Sequence, residues 1–176
     1  MWSIRLGAVV LLCSVFVLAQ EDTWDKVRYN GGMVQTSVDA KDWGNHLEIT
    51  PERITFRLKD GQGLVIPAND VTSLSYGQEA DRRLGKLGVL VAPVGVVRLV
   101  HKSRDHFIGL EFVSPGGNGR LLLQGDKDNY GAILKALAMS TGKPVTVSPE
   151  DRKFVPKEAK TLIVRDEDQR MSAAAK

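Results

Sequence analysis

Histidines are the side chains best suited to metal or proton chemistry, and their spacing here favours neither. His101 and His106 stand five residues apart, with His46 far upstream. Metal-binding pairs fall four apart on one helix face or two apart on one strand face, and five fits neither pattern. The three histidines therefore read as surface or sheet-edge residues, and no metal ligand is assigned. Asp39 and Asp42, with Glu48 nearby, could be cast as paired carboxylates. Without a helical frame or a nearby nucleophile, they read instead as solvated loop charges. The serines lack a Gly-x-Ser-x-Gly frame, and the single cysteine, Cys13, sits in an apolar N-terminal stretch. Gly85 and Gly88 do not make a phosphate cradle, because no strand, glycine loop, Lys-Ser/Thr pair and helix follow in order. No catalytic or cofactor-binding residue emerges, no cofactor is implied, and the chain is expected not to be an enzyme. The alternative is a hydrolase-type site assembled only in three dimensions, around His101, His106 and a carboxylate.

The remaining candidate is a surface. The chain carries a formal net charge of +3, and its basic character is concentrated. Arg82, Arg83, Lys86, Arg98, Lys102 and Arg104 fall between positions 82 and 104, where there is no acidic residue. They bracket an uncharged run from Leu87 to Val97. As a helix, eleven residues rise about 16 Å, roughly half the hydrocarbon thickness of a bilayer, so the run cannot span alone. Pro93 and Gly95 would also break such a helix in its middle. Three readings stay open: a buried β-hairpin turning at Pro93, a loop dipping into an anionic membrane surface, or a protein–protein contact. Nucleic acid is not expected as a partner, since the cluster lacks interleaved aromatic residues for base stacking.

Position in the cell follows from the N-terminus. Arg5 precedes an apolar stretch from Leu6 to Leu18, and Val17-Leu18-Ala19 offers a small residue for cleavage. This is the layout of a secretory signal peptide over residues 1–19. It predicts an exported protein, periplasmic or secreted, with an uncleaved N-terminal anchor as the alternative. Cleavage would leave no cysteine, so the core alone must hold the fold.

The elements that position these residues are read from periodicity. With 43% hydrophobic and 26% charged residues, 176 residues suffice for one compact domain. Residues 20–30 are polar and read as a loose lead-in. From His46 onward, short alternating runs are separated by turns: Leu47 to Ile49, Ile54 to Leu58, Leu64 to Ile66, and a run through Val71, Leu74 and Tyr76. Asp60-Gly61 suits a tight hairpin, and Pro67 ends a strand. After the basic segment, His106 to Val113 and Arg120 to Gln124 flank a turn at Ser114 to Gly119. Alternation of period two indicates an antiparallel sheet packed on one face. The period then becomes 3.6: Tyr130, Ile133, Leu134 and Leu137 make one stripe, with Asp126 or Asp128 as candidate cap and Gly142 and Pro144 as the stop. Residues 145–176 read as a polar, mostly unpacked tail with one short apolar run, Thr161 to Val164.

Several antiparallel strands followed by one amphipathic helix resemble the pleckstrin-homology-like (PH-like) superfold over roughly residues 31–144. Ile66-Pro67-Ala68-Asn69-Asp70-Val71 is similar to the strand-to-strand passage of bacterial members. Tyr76-Gly77-Gln78-Glu79-Ala80 with Arg82-Arg83, and then His101 to Phe107, resemble a set of exported bacterial proteins with no assigned activity. The resemblance implies a mainly β (α+β) fold: a bent antiparallel sheet forming a half-open barrel, capped by the C-terminal amphipathic helix. It also implies binding of lipid headgroups, peptides or proteins rather than catalysis. The segment 82–104 departs from it as an apolar, basic insertion. The expected function is a non-catalytic exported binding or scaffolding module. It recognises a partner protein or an anionic envelope surface through Arg82, Arg83, Lys86, Arg98, Lys102 and Arg104. A structural homo-oligomer is a further alternative.

Overall fold

A computed structural model describes residues 22–85 and 105–164. The chain is mainly β, with few helices around one large mixed sheet of nine strands. Strands β1 (Asp22–Gly32), β2 (Asn45–Ile49), β3 (Arg53–Arg57) and β4 (Gly63–Pro67) form an antiparallel meander. A 3-10 turn at Ala68–Asp70 leads into β5 (Val71–Tyr76), followed by a short helix α1 (Gln78–Ala80) and a π turn (Asp81–Gly85). Strands β6 (His106–Ser114) and β7 (Gly117–Gly125) make a long hairpin. Helix α2 (Tyr130–Thr141), β8 (Val145–Val147), a 3-10 turn (Arg152–Phe154) and β9 (Thr161–Ile163) complete the described chain.

In space the strands run β4-β3-β2-β1-β7-β6-β5-β8-β9. Among the described residues two edges remain, at β4 and β9, so the sheet is open rather than a closed barrel. It is also not purely antiparallel: β8 pairs parallel with β5, and β9 parallel with β8. Three sequence expectations change here. The lead-in 20–30 contributes β1, which joins the meander to the β5–β7 hairpin layer by pairing with both β2 and β7. A register shift between Trp24 and Val27 places Asp25 and Lys26 outward in succession, which breaks the alternation a strand would show. The tail is the second change, because its first part is packed: Val145, Val147, Val155 and Ala159 are buried in the core. The third is the helix cap. Neither Asp126 nor Asp128 caps α2; Asp126 Oδ1 accepts the Asp128 N–H in the preceding turn, and Asn129 occupies the N-cap without a side-chain cap bond.

The main core lies on one face of the sheet. Ile108 and Leu110 of β6, Leu121 and Leu123 of β7, and Leu47, Ile54 and Phe56 of the meander meet Ile133, Leu134 and Leu137 of α2 there. Gly142 ends α2 in the left-handed conformation and returns its N–H to the Ala138 carbonyl. On the opposite face, Ala80 and Leu84 form a smaller apolar cluster with Leu122, against which Phe107 packs. Because β7 is covered on both faces, Leu121-Leu122-Leu123 is a continuous apolar run rather than an alternating one.

Candidate functional site

The described residues run through the π turn to Gly85 and resume at Asp105, one residue before β6. Strands β5 and β6 pair directly, from Val71↔Phe112 to Tyr76↔Ile108. Among the described residues, every interior strand of the nine has both neighbours assigned. The Leu87 to Val97 run, with Lys86, Arg98, His101, Lys102 and Arg104, lies outside the described residues.

What is described is the platform from which the segment departs. Gly77 turns the chain off β5 with φ of 64°, a region that L side chains rarely adopt. Its N–H donates to the Phe107 carbonyl at 2.9 Å, and the next N–H, of Gln78, donates to Asp151 Oδ2 at 2.9 Å. The Asp151 carboxylate thus satisfies one of the free donors of the first helical turn. Ala80 and Leu84 then lie flat on the sheet over Gly109. A Cβ at that position would meet Leu84 Cδ1 at 2.6 Å and Ala80 Cβ at 3.3 Å. Any larger residue at 109 would require Leu84 and the Ser75 hydroxyl, which is closer still to the same position, to shift.

Arg82 and Arg83 both project from the π turn back onto Glu79. Arg83 Nε donates to Glu79 Oε1 at 2.5 Å, and Arg82 Nη2 donates to Glu79 Oε2. Glu79 is buried at 4% exposure, whereas the arginine side chains are about one-third exposed. The two arginines thus share one buried carboxylate and act as a trio with it. Reading charges from position 82 onward misses Glu79. The i, i+3 and i, i+4 spacing to the arginines is the signal that finds it.

The return point is fixed separately. Gln124 donates from Nε2 to Asp105 Oδ1 at 3.0 Å and accepts from Arg28 at 3.5 Å. Arg28 also donates to the Lys41 carbonyl and stacks over the Trp43 ring at 4.0 Å. Beside it, His106 Nδ1 shares a 2.7 Å hydrogen bond with the Tyr76 hydroxyl. The imidazole stacks on Tyr130 with ring centroids 3.7 Å apart and planes 1° from parallel. Burial lowers the His106 pKa below the ordinary histidine range, against the opposing pull of Asp105, Asp126 and Asp151. Burial likewise raises the Tyr76 hydroxyl above the usual phenol value, with Tyr130 and Asp151 adding to the shift.

The other residues singled out in sequence lie on β2 and in the β1–β2 connection. His46 bonds Asp25 at 2.6 Å on the β1–β2 surface. Asp39 Oδ1 accepts the Lys41 N–H, and Glu48 pairs with Arg53 and Arg57. Asp42 accepts from the Gly44 N–H and from Lys59, and these bonds hold its carboxyl below the usual carboxylate range. Among the described residues, no group of three or more His, Cys, Asp or Glu is arranged to hold a metal, and no helix is long and apolar enough to cross a membrane. A groove of about 360 Å³ runs between α2, the start of β1 and the β2–β3 turn, lined by Trp24, Ile49, Pro51, Ala136 and Met139.

No protein-family model and no curated protein matches the chain. Among solved structures, it is similar to a chain of the Spt16D Pob3N heterodimer, at 7% identity and a TM-score of 0.42. That match covers 74% of this chain and 55% of the other, so it spans about half of that chain's length. The chain is also similar to the C-terminal phosphotyrosine interaction domain of APBB2 from mouse. There identity is 10%, coverage 81% of this chain and 96% of that one, and the TM-score 0.43.

Proposed function

We propose that the chain is an exported, non-catalytic binding module of PH-like fold that recognises a partner protein through the segment 82–104. One observation carries this reading: β5 and β6 are direct neighbours, while the connection between them holds the most basic stretch of the sequence around an uncharged apolar run. A connection that the ladder does not need, set on a braced platform, is the usual place for recognition residues. The PH-like assignment rests on the four-strand meander joined through β1–β7 to a three-strand layer, followed by α2, whose Ile133, Leu134 and Leu137 belong to the main core. Export rests on the layout of residues 1–19. A non-catalytic role accords with His106, whose Nδ1 is engaged by Tyr76 and whose ring is covered by Tyr130.

Charge favours a second reading, contact with an anionic envelope surface. Between 82 and 104 no acidic residue opposes the six cations, and each cation near an anionic surface contributes on the order of 1 kcal/mol. The Glu79 trio weakens this reading by engaging two of the six. Capture from an envelope extract by the wild-type chain, and not by a chain with Val89 and Val96 replaced by Asp, supports protein recognition. Co-sedimentation with anionic but not neutral vesicles, abolished by high salt, supports the surface instead. Failure of both the capture and the sedimentation overturns the assignment of 82–104 as a contact segment.

A further inference from the structure

The two edges of the sheet are not alike. At β9, the Val145 N–H donates to the Lys160 carbonyl at 2.8 Å, and the Val164 N–H donates to the Val147 carbonyl at 3.1 Å. Val145 pairs with Thr161 and Val147 with Ile163, so this parallel ladder turns the backbone groups of 160, 162 and 164 toward β8. The N–H and C=O of Thr161 and Ile163 therefore face the open side, where no further strand stands among the described residues. Beside them Leu162 is 54% exposed and Ile163 50% exposed. We propose that β9 is a pairing edge for a second copy of this chain: two copies join β9 to β9 antiparallel, about a two-fold axis through Leu162.

Self-complementarity selects a second copy as the occupant. In that register Thr161 stands opposite Ile163 of the second copy, and Ile163 opposite its Thr161. Each pair exchanges both of its hydrogen bonds, so every outward N–H and C=O of the two residues is satisfied. Leu162 meets its own counterpart as a non-hydrogen-bonded pair, the position at which cross-strand side chains approach most closely. Lys160 falls opposite Val164, so no like charges face each other across the axis. The β4 edge lacks this fit. There the Leu58 N–H donates to the Gln62 carbonyl and the Ala68 N–H to the Glu52 carbonyl, which turns Leu64 and Ile66 toward β3 and leaves Gly63, Val65 and Pro67 facing outward. A two-fold through Val65 would set Gly63 opposite Pro67, which has no N–H to give. Three residues a side make a small interface, so the β9 pairing is weak and concentration-dependent. Its axis runs perpendicular to the joined sheet, which brings both α1–π platforms to the same face. The pair then offers two 82–104 segments to one partner surface, a consequence that rests on the contact-segment reading although the pairing itself does not.

Disulfide trapping on the full chain tests the register. In a Cys13→Ser background, which removes the single native thiol, Leu162→Cys sets two sulfurs across the axis on Cα atoms about 4.5 Å apart, within disulfide reach. Val65→Cys, at a similarly exposed position on the other edge, is the control. Under the same mild oxidant, the variant at 162 should cross-link into a dimer about tenfold or more faster than the variant at 65. The unmodified chain supplies a second readout by amide hydrogen exchange. Protection of the Thr161 and Ile163 amides should rise about fivefold over about a hundredfold increase in protein concentration, while the outward Val65 amide holds constant. Leu162→Asp places two like charges on the axis and should abolish that rise. Equal cross-linking at positions 162 and 65 overturns the pairing, as does protection at Thr161 and Ile163 that does not change with concentration. None of these readouts involves a partner, so the pairing and the contact segment can fail separately.

Discussion

Helix α2 buries Ile133, Leu134 and Leu137 on one face of the sheet, while α1 and its π turn lie on the other face over Gly109 and Leu122. The first is twelve residues long, with a 3.6-residue stripe and a glycine stop written in its own sequence. The second is a single helical turn that would not persist alone. It is held from outside by Asp151 at its start, by Gly109 beneath it and by Glu79 gathering Arg82 and Arg83. The contrast separates two tasks. One helix belongs to the fold, whereas the other is a platform that tertiary contacts can grip or release without opening the core.

Substitutions on the two faces should therefore differ in kind as well as in size. Leu134→Ala, at a fully buried position, is expected to cost about 2–5 kcal/mol in urea unfolding, with exchange rising throughout the domain. Gly109→Ala forces a methyl against Ser75 Oγ and Leu84 Cδ1 and should cost about 1–3 kcal/mol, with the exchange increase confined to residues 78–85 and the neighbouring strand β5. Glu79→Gln weakens the shared acceptor of the two arginines by about 1 kcal/mol and adds one net positive charge to the platform. Tighter salt-sensitive binding to anionic vesicles should accompany that loss. The smallest effect is a pH slope. The folded pKa of His106 lies below its unfolded value, so the unfolded chain takes up the proton first. Its contribution to stability is intact above about pH 6.5 and is lost as pH falls through the folded pKa. Urea titrations at pH 7.5 and 5.5 should show that slope in the wild-type chain and a smaller one in His106→Phe.

The same contrast governs what the sequence makes legible. β2 to β5 and α2 stand where alternation and the helical stripe put them, because each buries one face against one core. β1 escapes the pattern, since the irregularity between Trp24 and Val27 breaks its alternation. β8 and β9 escape it for another reason. Three-residue strands in parallel pairing depend on partners far away in sequence, and the Val145–Val147 run carries no turn signal of its own. At the candidate site, Arg82 and Arg83 are visible as charges, but Glu79 three and four residues before them is what decides how much of that charge is available. Asp151 and Gly109 become part of the site only through folding, as do Tyr76 and Tyr130, which meet His106 across three different elements.

The account turns on whether the β5–β6 connection belongs to the fold or only departs from it. Replacing residues 86–104 with a short Gly-Ser linker and measuring urea unfolding tests this directly, because shortening a flexible loop changes closure entropy by only about 1 kcal/mol. Cooperative unfolding within about 1 kcal/mol of the wild-type chain, with capture of the envelope partner lost, is the predicted result. A variant that unfolds in buffer, or whose transition broadens, would contradict it, since the apolar run would then be part of the core.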